Sequence, residues 1–361
     1  MHNEKPFFSA IIPCCDVEPY VRECLDSMLS QEFKSWECLV GVEESKDNTE
    51  EIVRAYAAKD PRFKVFTGPR SGSCSASRNT GTDMATGEYV IFLDGDDTVA
   101  EGSLQRIHDK IAERPNADLY PCAIVVRNEL TGRDEEIRDN YPKDLSDELS
   151  GTEATLMLER LFAKSFPCPM LQLTVFRREF LVKHNLKCIY GLRMQDSEFS
   201  PRALYLAKRV IPIHEPFYIY RIRKNSVQTQ AKGPGYFYKD LAIRLRSLMS
   251  FHAAESAKTG FDRRIGKAWA RRWTGMLLLR WFNPRIMKDL TRAERLETLK
   301  IVFPEGFGDF DTLLKSAPFV QRLAAPWVKA FFRQPYMRSL AELFFKAVYF
   351  PFLSRLQPHS R

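Results

Sequence analysis

Short apolar runs alternate with helical patterns through the first part of the chain, and this alternation restricts the fold more than any other feature. "FFSAIIP" (7–13) reads as a buried strand that ends at a proline. Val17, Tyr20, Val21, Cys24, Leu25, Met28 and Leu29 then recur in steps of three and one, which puts every apolar side chain on one helix face. Pro19 fits the first turn of that helix, where no backbone N–H is needed. "ECLVGV" (37–42) is a second strand, and Asp47 with Glu50 makes an approximate capping box for a helix carrying Ile52, Val53 and Tyr56. "FKVFTG" (63–68) is a third strand, "SASRNTGTDMATG" a short helix closed by Gly87, and "EYVIFLD" a fourth strand. Strand and helix in alternation predict an α/β fold: an open, Rossmann-like, mostly parallel sheet with flanking helices. Ligands of such sheets bind beyond the carboxyl ends of the strands.

Charge collects at that end. In "FLDGDDTVAEG" (92–102), Asp94, Asp96 and Asp97 crowd together directly after an apolar run. Like charges this close raise the cost of ionising one another, so the cluster is unfavourable unless a cation or a polyol sits there. A solvated Asp-Gly turn is the alternative. Pro13-Cys14-Cys15-Asp16 and Glu43-Glu44-Ser45 fall at the same end of the expected sheet, which favours a ligand. No GxGxxG follows the first strand and no GxxxxGK[ST] occurs, so the glycine cradle of a dinucleotide or P-loop site is missing. Carboxylates cannot hold a diphosphate directly. They can do so through a divalent cation, and hard oxygen ligands suit Mg²⁺ or Mn²⁺. The combination points to a nucleotide-diphosphate-sugar donor.

Three blocks then carry a family resemblance. "SAIIPCCDVEPYVRECLDSMLSQ", "SGSCSASRNTGTDMATGEYVIFLDGDD" and "MQDSEFSPRALYLAKRVIPIHEPFYIYRIRKNS" resemble, in order, three segments of the non-processive bacterial family 2 glycosyltransferases of the GT-A fold. They match the opening strand and helix, the Ala-Arg-Asn-x-Gly helix with its Asp-x-Asp strand end, and the acceptor-side block. The resemblance covers about residues 7–230. It implies an inverting, metal-dependent transfer of a sugar from a nucleotide-sugar, with a UDP-sugar the expected donor. The acceptor would be a saccharide or lipid-linked hydroxyl in surface polysaccharide or glycolipid synthesis. Carried over by the resemblance, Asp94 would contact the ribose, Asp96 would ligate Mn²⁺ or Mg²⁺, and Asp97 would support them or cap a helix. Pro13, Asp16, Glu43 and Arg78 would lie on the nucleotide-sugar side, and Asp196 would be the catalytic base. From the residues alone, Arg78 can also be a solvated helix arginine, and Asp196 the N-cap of the helix that "DSEF" begins. Arg221, Arg223 and Lys224 could add positive charge near the diphosphate, or form a solvated basic edge.

Two positions depart from the family's pattern. Its Asp-Asp-Gly-Ser is here Val42-Glu43-Glu44-Ser45, so the acid that meets the base is one methylene longer. The Glu expected before the catalytic base is Gln195, and losing that charge should leave the base less perturbed. These changes motivate an alternative, an inert nucleotide-sugar-binding protein of the same fold.

"AKGPGY" (231–236) is the clearest break, dividing a catalytic domain at 1–230 from an α-helical extension at 231–361. Ile265, Trp269, Trp273, Met276 and Arg280 follow a helical step, and Thr291 to Glu294 is a capping box. The acidic stretch from Glu129 to Glu153 reads as a hairpin or surface loop without chemistry. Of the net charge of +8, nearly all sits in the tail from Lys315 to Arg361, and such a patch seeks an anionic partner. The tail interleaves Trp327, Phe331, Phe332, Tyr336, Phe344, Phe345, Tyr349, Phe350 and Phe352 with Lys and Arg. Basic amphipathic helices of this kind lie in membrane interfaces, so 315–361 is a candidate peripheral membrane contact, with packing on the catalytic domain the alternative. No nucleic-acid motif is recognisable, and no nucleic acid is expected as a partner. The start lacks a basic region followed by a long apolar core, and eight cysteines without a CxxC suit buried free thiols. The expected location is the cytoplasm, peripheral to the inner face of the cell membrane.

Overall fold

The structure, a computed structural model, describes residues 5–139, 141, 148–163, 171–224, 234–283, 290–334 and 337–350. It divides into two compact units, Met1–Ala231 and Lys232–Arg361.

The first unit opens with β1 (Phe8–Cys14), α1 (Glu18–Leu29), β2 (Trp36–Glu43), α2 (Thr49–Lys59), β3 (Phe63–Gly68), α3 (Ser75–Met84) and β4 (Tyr89–Phe92). Every residue of β1 and β2 is buried, because both faces of these strands are covered. Phe8, Ala10, Ile12 and Cys14 enter the core shared with α1, whereas Ile11 points to the opposite face. The strands run parallel in the order β3-β2-β1-β4, with Phe8 beside both Trp36 and Tyr89. Helix α3 lies close against this sheet at Gly81, where a Cβ would fall 2.5 Å from Cγ2 of Ile11.

The chain continues through β5 (Thr98–Val99), α4 (Ser103–Glu113), β6 (Leu119–Asn128), β7 (Arg133–Arg138), α5 (Gly151–Ala163), β8 (Thr174–Arg177), α6 (Arg178–Lys183), α7 (Asp196–Leu206) and β9 (Ile213–Ile222). These extend the sheet as β4-β8-β6-β9-β5, with β7 pairing β6. β8 runs antiparallel to both β4 and β6, while β6 and β9 are parallel. The parallel expectation therefore holds for the N-terminal strands, and beyond β4 the sheet is mixed. Apolar periodicity marks a strand but not its direction. Antiparallel neighbours such as β6 and β7 need no crossover helix to announce them.

Two local expectations are corrected. Asp47 and Glu50 do not form a capping box. Asp47 accepts the Thr49 N–H at 3.1 Å, its hydroxyl at 2.6 Å and the Glu18 N–H at 3.0 Å, and Glu50 turns outward to Arg54 at 2.8 Å. Gly87 does not close α3, which ends at Met84; its N–H instead donates to Ser9 Oγ of β1 at 2.9 Å.

The second unit is helical: α8 (Pro234–Ser256), α9 (Arg263–Phe282), α10 (Arg292–Val302), α11 (Gly308–Ser316), α12 (Phe319–Arg333) and α13 (Arg338–Phe344). Ile265, Trp269 and Trp273 are buried along one stripe of α9, and the two indoles stack at 4.9 Å. The capping box of Thr291 and Glu294 forms with both reciprocal hydrogen bonds. The tail aromatics are largely spent on packing inside this unit. Trp327 stacks on Phe344 at 4.5 Å, Phe332 meets Phe303 and Phe307, and Phe331, Phe345 and Tyr349 are buried. Tyr336 and Phe352 lie outside the described residues. Among the described residues of the tail, the exposed large apolar groups are instead Phe319, Leu323, Leu340, Leu343 and Val348. Among the described residues no helix is long and apolar enough to cross a membrane.

Candidate active site

The end of β4 carries the acidic cluster onto the edge of β1. The Gly95 N–H donates to the Pro13 carbonyl at 3.2 Å, and a Cβ at Gly95 would sit 2.8 Å from Cys14 Sγ. Only glycine allows this approach, and it fixes where the flanking aspartates stand.

Each carboxylate has its own counterpart. Asp94 accepts from Arg78 Nη2 at 2.5 Å and from Gln172 Nε2 at 2.7 Å. Asp97 accepts from the Tyr218 hydroxyl and from the Arg221 N–H at 2.7 Å. Asp96 accepts from Arg223 Nε at 3.0 Å and Nη2 at 2.7 Å. Burial, reinforced by Asp96 and Asp94, pushes the Asp97 carboxyl well above the ordinary range. Burial and Asp94 also raise Asp96, against the opposing charge of Arg223. Burial, the largest single influence, would lower the pKa of Arg78, but Asp94 and the other acidic groups around it, Asp196 among them, together outweigh burial and raise it.

Arg78 is therefore a buried ion-pair partner, 3% exposed, and not a solvated helix arginine. Arg221 is likewise no solvated edge. It is buried in β9, ion-paired to Glu23 and Glu129, and donates through Nε to the Asp96 carbonyl at 2.9 Å. The start of the acidic stretch thus does contribute, through Glu129. Arg223, with its guanidinium 4.5 Å from the ring centre of Tyr20, is the cation that faces Asp96. Lys224 is exposed.

Asp16 and Glu43 lie beside the ends of β1 and β2. Asp16 has a left-handed backbone (φ 52°), accepts the Lys46 N–H at 2.7 Å and pairs with Arg70. The Lys46 amide, with help from Arg70, holds its carboxyl below the ordinary range although burial opposes this. Glu43 accepts the Ser71 N–H at 2.9 Å and the Ser71 hydroxyl at 2.7 Å, one on each oxygen. Its extra methylene is thus used to reach the loop before α3.

On the other side, the segment 187–195 runs back along α3. Lys187 pairs with Asp83. Asn79 exchanges two hydrogen bonds of 2.8 Å with the Cys188 backbone, and the Gly191 N–H donates to Ser75 Oγ at 2.8 Å. Gln195, 3% exposed, accepts from Arg78 Nη1 at 3.2 Å. Asp196 follows as the first residue of α7, with Gln195 and not Asp196 at the N-cap position. A carboxylate in the first turn faces the positive end of the helix dipole.

Arg78 therefore joins Asp94 to the residue preceding Asp196. Pro13, Arg78, Asp94, Asp96 and the start of α7 come together in one site, with Glu43 and Asp16 at its rim through Ser71, Ser45 and Arg70. Gln172, Tyr218 and Ser71 were not singled out in the sequence. Tyr218 lies in a strand with an evident Tyr-x-Tyr pattern, and asking what satisfies a buried Asp97 would have led to it. Gln172 offers no such signal.

The donor set can be tested against a divalent ion. Both oxygens of Asp94 are engaged by Arg78 and Gln172, and Asp97 is held by Tyr218 and Arg221. Among the described residues no cluster of three or more His, Cys, Asp or Glu side chains has the arrangement of a metal site. Asp96 is the carboxylate left for the role. One carboxylate suits Mg²⁺ or Mn²⁺ when diphosphate oxygens and water complete the shell, so the residues fit a metal that arrives with a nucleotide.

The sequence profile described as glycosyl transferase family 2 matches residues 9–181. The uncharacterized glycosyltransferase EpsJ of Bacillus subtilis is 32% identical over 225 residues, covering 62% of this chain and 63% of that protein. The glycosyltransferase GlyA of Streptococcus pneumoniae is 27% identical over 334 residues, covering 85% of this chain and 45% of that protein. The chain thus matches less than two thirds of the length of these relatives. The crystal structure of S. aureus TarS 1–349 in complex with UDP-GlcNAc superposes with a TM-score of 0.65 at 18% identity, over 98% of this chain and 93% of that one. At that identity the likeness is one of fold, and it extends through both units.

Proposed function

Residues 9–181 match the glycosyl transferase family 2 profile, and from that match we propose that the chain is an inverting glycosyltransferase of this family. It moves a sugar from a nucleotide-diphosphate-sugar to a hydroxyl of a saccharide or lipid-linked acceptor in surface polysaccharide or glycolipid synthesis. A UDP-sugar is the proposed donor, the ligand class of the TarS complex named above. The observation that carries the reading is Arg78, which ties Asp94 at the end of β4 to Gln195 beside Asp196. Donor-side and acceptor-side carboxylates are thereby held in one site.

In the proposed mechanism Asp196 takes the proton of the acceptor hydroxyl. Its oxygen forms the bond to the anomeric carbon as the bond to the nucleoside diphosphate breaks. General-base assistance of this kind contributes roughly 10²–10⁴-fold. Asp94 binds the ribose, oriented by Arg78 and Gln172, while Glu43, Asp16 and Pro13 border the base. Arg223 stands beside Asp96, where positive charge is needed as the diphosphate departs. Asp96 would hold Mn²⁺ or Mg²⁺, and such an ion supplies charge neutralisation at the diphosphate.

The first unit, 1–230, is the proposed catalytic domain. A peripheral membrane contact through 315–361 is proposed on the exposed Phe319, Leu323, Leu340, Leu343 and Val348, beside the exposed Arg322 and Lys346. An inner-leaflet location suits a lipid-linked acceptor. No observation favours an inert binder, since Glu43 and Gln195 are both engaged in the site. The test is release of free nucleoside diphosphate from a panel of nucleotide sugars, with and without Mn²⁺. With a panel of saccharide acceptors present, Mn²⁺-dependent release from at least one donor is expected; no release from any donor, with or without an acceptor, overturns the reading.

A further inference from the structure

The segment between α6 and α7 combines two properties that rarely occur together. It is rigidly held, yet it displays apolar side chains to solvent. Its hold on α3 is made at its start by Lys187 and Cys188, at its middle by Gly191, and at its end by Gln195. Leu192, 1% exposed, anchors it from beneath. Between these fixed points Tyr190 is 67% exposed and Met194 51% exposed.

Met194 also has a left-handed backbone, φ 51°. For a non-glycine residue that conformation costs on the order of 1 kcal/mol or more, and it persists only where surrounding contacts enforce it. Here the Gly191 and Gln195 attachments on either side do so. A single exposed apolar residue needs no explanation. A tyrosine that cannot retract, in a strained segment that leads directly into Asp196, is a different matter.

We infer that Tyr190 and Met194 form an acceptor subsite, in which the tyrosine ring stacks against the apolar face of a pyranose. This inference rests on the assignment of Asp196 as the base, since the base must face the acceptor hydroxyl. A phenol offers a flat apolar body with a polar tip, which matches the alternation of C–H faces and hydroxyl rims on a sugar. The two side chains the segment exposes most, Tyr190 and Met194, are uncharged, so the surface they offer suits the C–H face of a sugar ring. Because the platform is preorganised, little ordering cost is left at binding.

The test is binding of a panel of methyl pyranosides and disaccharides to the full chain by saturation-transfer NMR, with nucleotide affinity measured alongside. At least one pyranoside should bind, Tyr190→Ala should weaken it about tenfold, and Tyr190→Phe should retain it. UDP affinity and the melting curve should be unchanged in both variants. If no pyranoside binds the wild type, or if Tyr190→Ala binds as well as wild type, the subsite is wrong. Failure of the transferase reading looks different: pyranosides then bind through Tyr190, while no nucleotide sugar is turned over.

Discussion

Arg223 reaches a single oxygen of Asp96 with two nitrogens, Nε at 3.0 Å and Nη2 at 2.7 Å. The pair lies at the exit of β9, and Arg223 is the cation that opposes the upward pull of burial and Asp94 on the Asp96 carboxyl. Removing it should move that carboxyl further up. In Arg223→Gln, Mn²⁺-dependent UDP binding should persist at alkaline pH but fail earlier on acidification, with its midpoint moved to higher pH. Calorimetry across the pH range measures this. An unmoved midpoint means the binding does not require ionised Asp96.

Asp96→Ala removes the carboxylate left for a cation. The metal-dependent part of UDP affinity should disappear, leaving whatever binding is seen in EDTA. Titrations with and without Mn²⁺ make the comparison. Equal metal dependence in variant and wild type would sink the assignment.

Asp196→Asn keeps the shape but cannot take a proton. Donor affinity should survive while transfer falls by about two to four orders of magnitude. Near-normal transfer would mean that Asp196 serves only the helix terminus.

Arg78→Met leaves the Asp94 carboxylate with the neutral Gln172 amide in place of an ion pair and should cost about 3 kcal/mol in urea denaturation. Adding Asp94→Asn should return part of that loss, because the stranded charge is removed. Strict additivity of the two losses would show that the residues do not act as a pair.

His252 gives the helical unit a pH dependence. It is 1% exposed, boxed by Phe261, Trp269 and Trp273, and burial lowers its pKa from 6.5 to about 4. The unfolded chain then binds the proton more readily than the folded one. Stability from this group is full above pH 6.5 and is lost as pH falls toward 4, by about 3 kcal/mol in all. Unfolding of wild type and His252→Phe at several pH values isolates the term, and parallel curves would refute it.

Much of this was legible in the chain. The runs at Phe8–Cys14 and Trp36–Glu43 are apolar without alternation because both faces are covered, and such strands declare themselves. The cluster Asp94, Asp96, Asp97 declared itself by its own repulsion. Of the partners that resolve that repulsion, Arg78 and Arg223 could be named as candidate cations, whereas Gln172 and Tyr218 arrive from elements distant in sequence, and Gln172 has no local pattern. The tail was ambiguous for a related reason. Aromatics interleaved with arginines look the same whether they meet lipid or one another, and Trp327 meets Phe344. Strand direction beyond β4 was also silent, since Thr174–Arg177 reads identically in either sense.

The ten residues of α3 carry Arg78 toward Asp94, and Ser75, Asn79 and Asp83 toward the segment that ends at Asp196. Ser75 and Asp83 are about 12 Å apart along the axis at 1.5 Å per residue. The helix is thus a spacer between the sheet, which carries Asp94, and the segment that leads into Asp196. Its seat on the sheet at Gly81, where a Cβ would fall 2.5 Å from Ile11 Cγ2, therefore helps to set the width of the site, and a bulkier residue there would widen it from below.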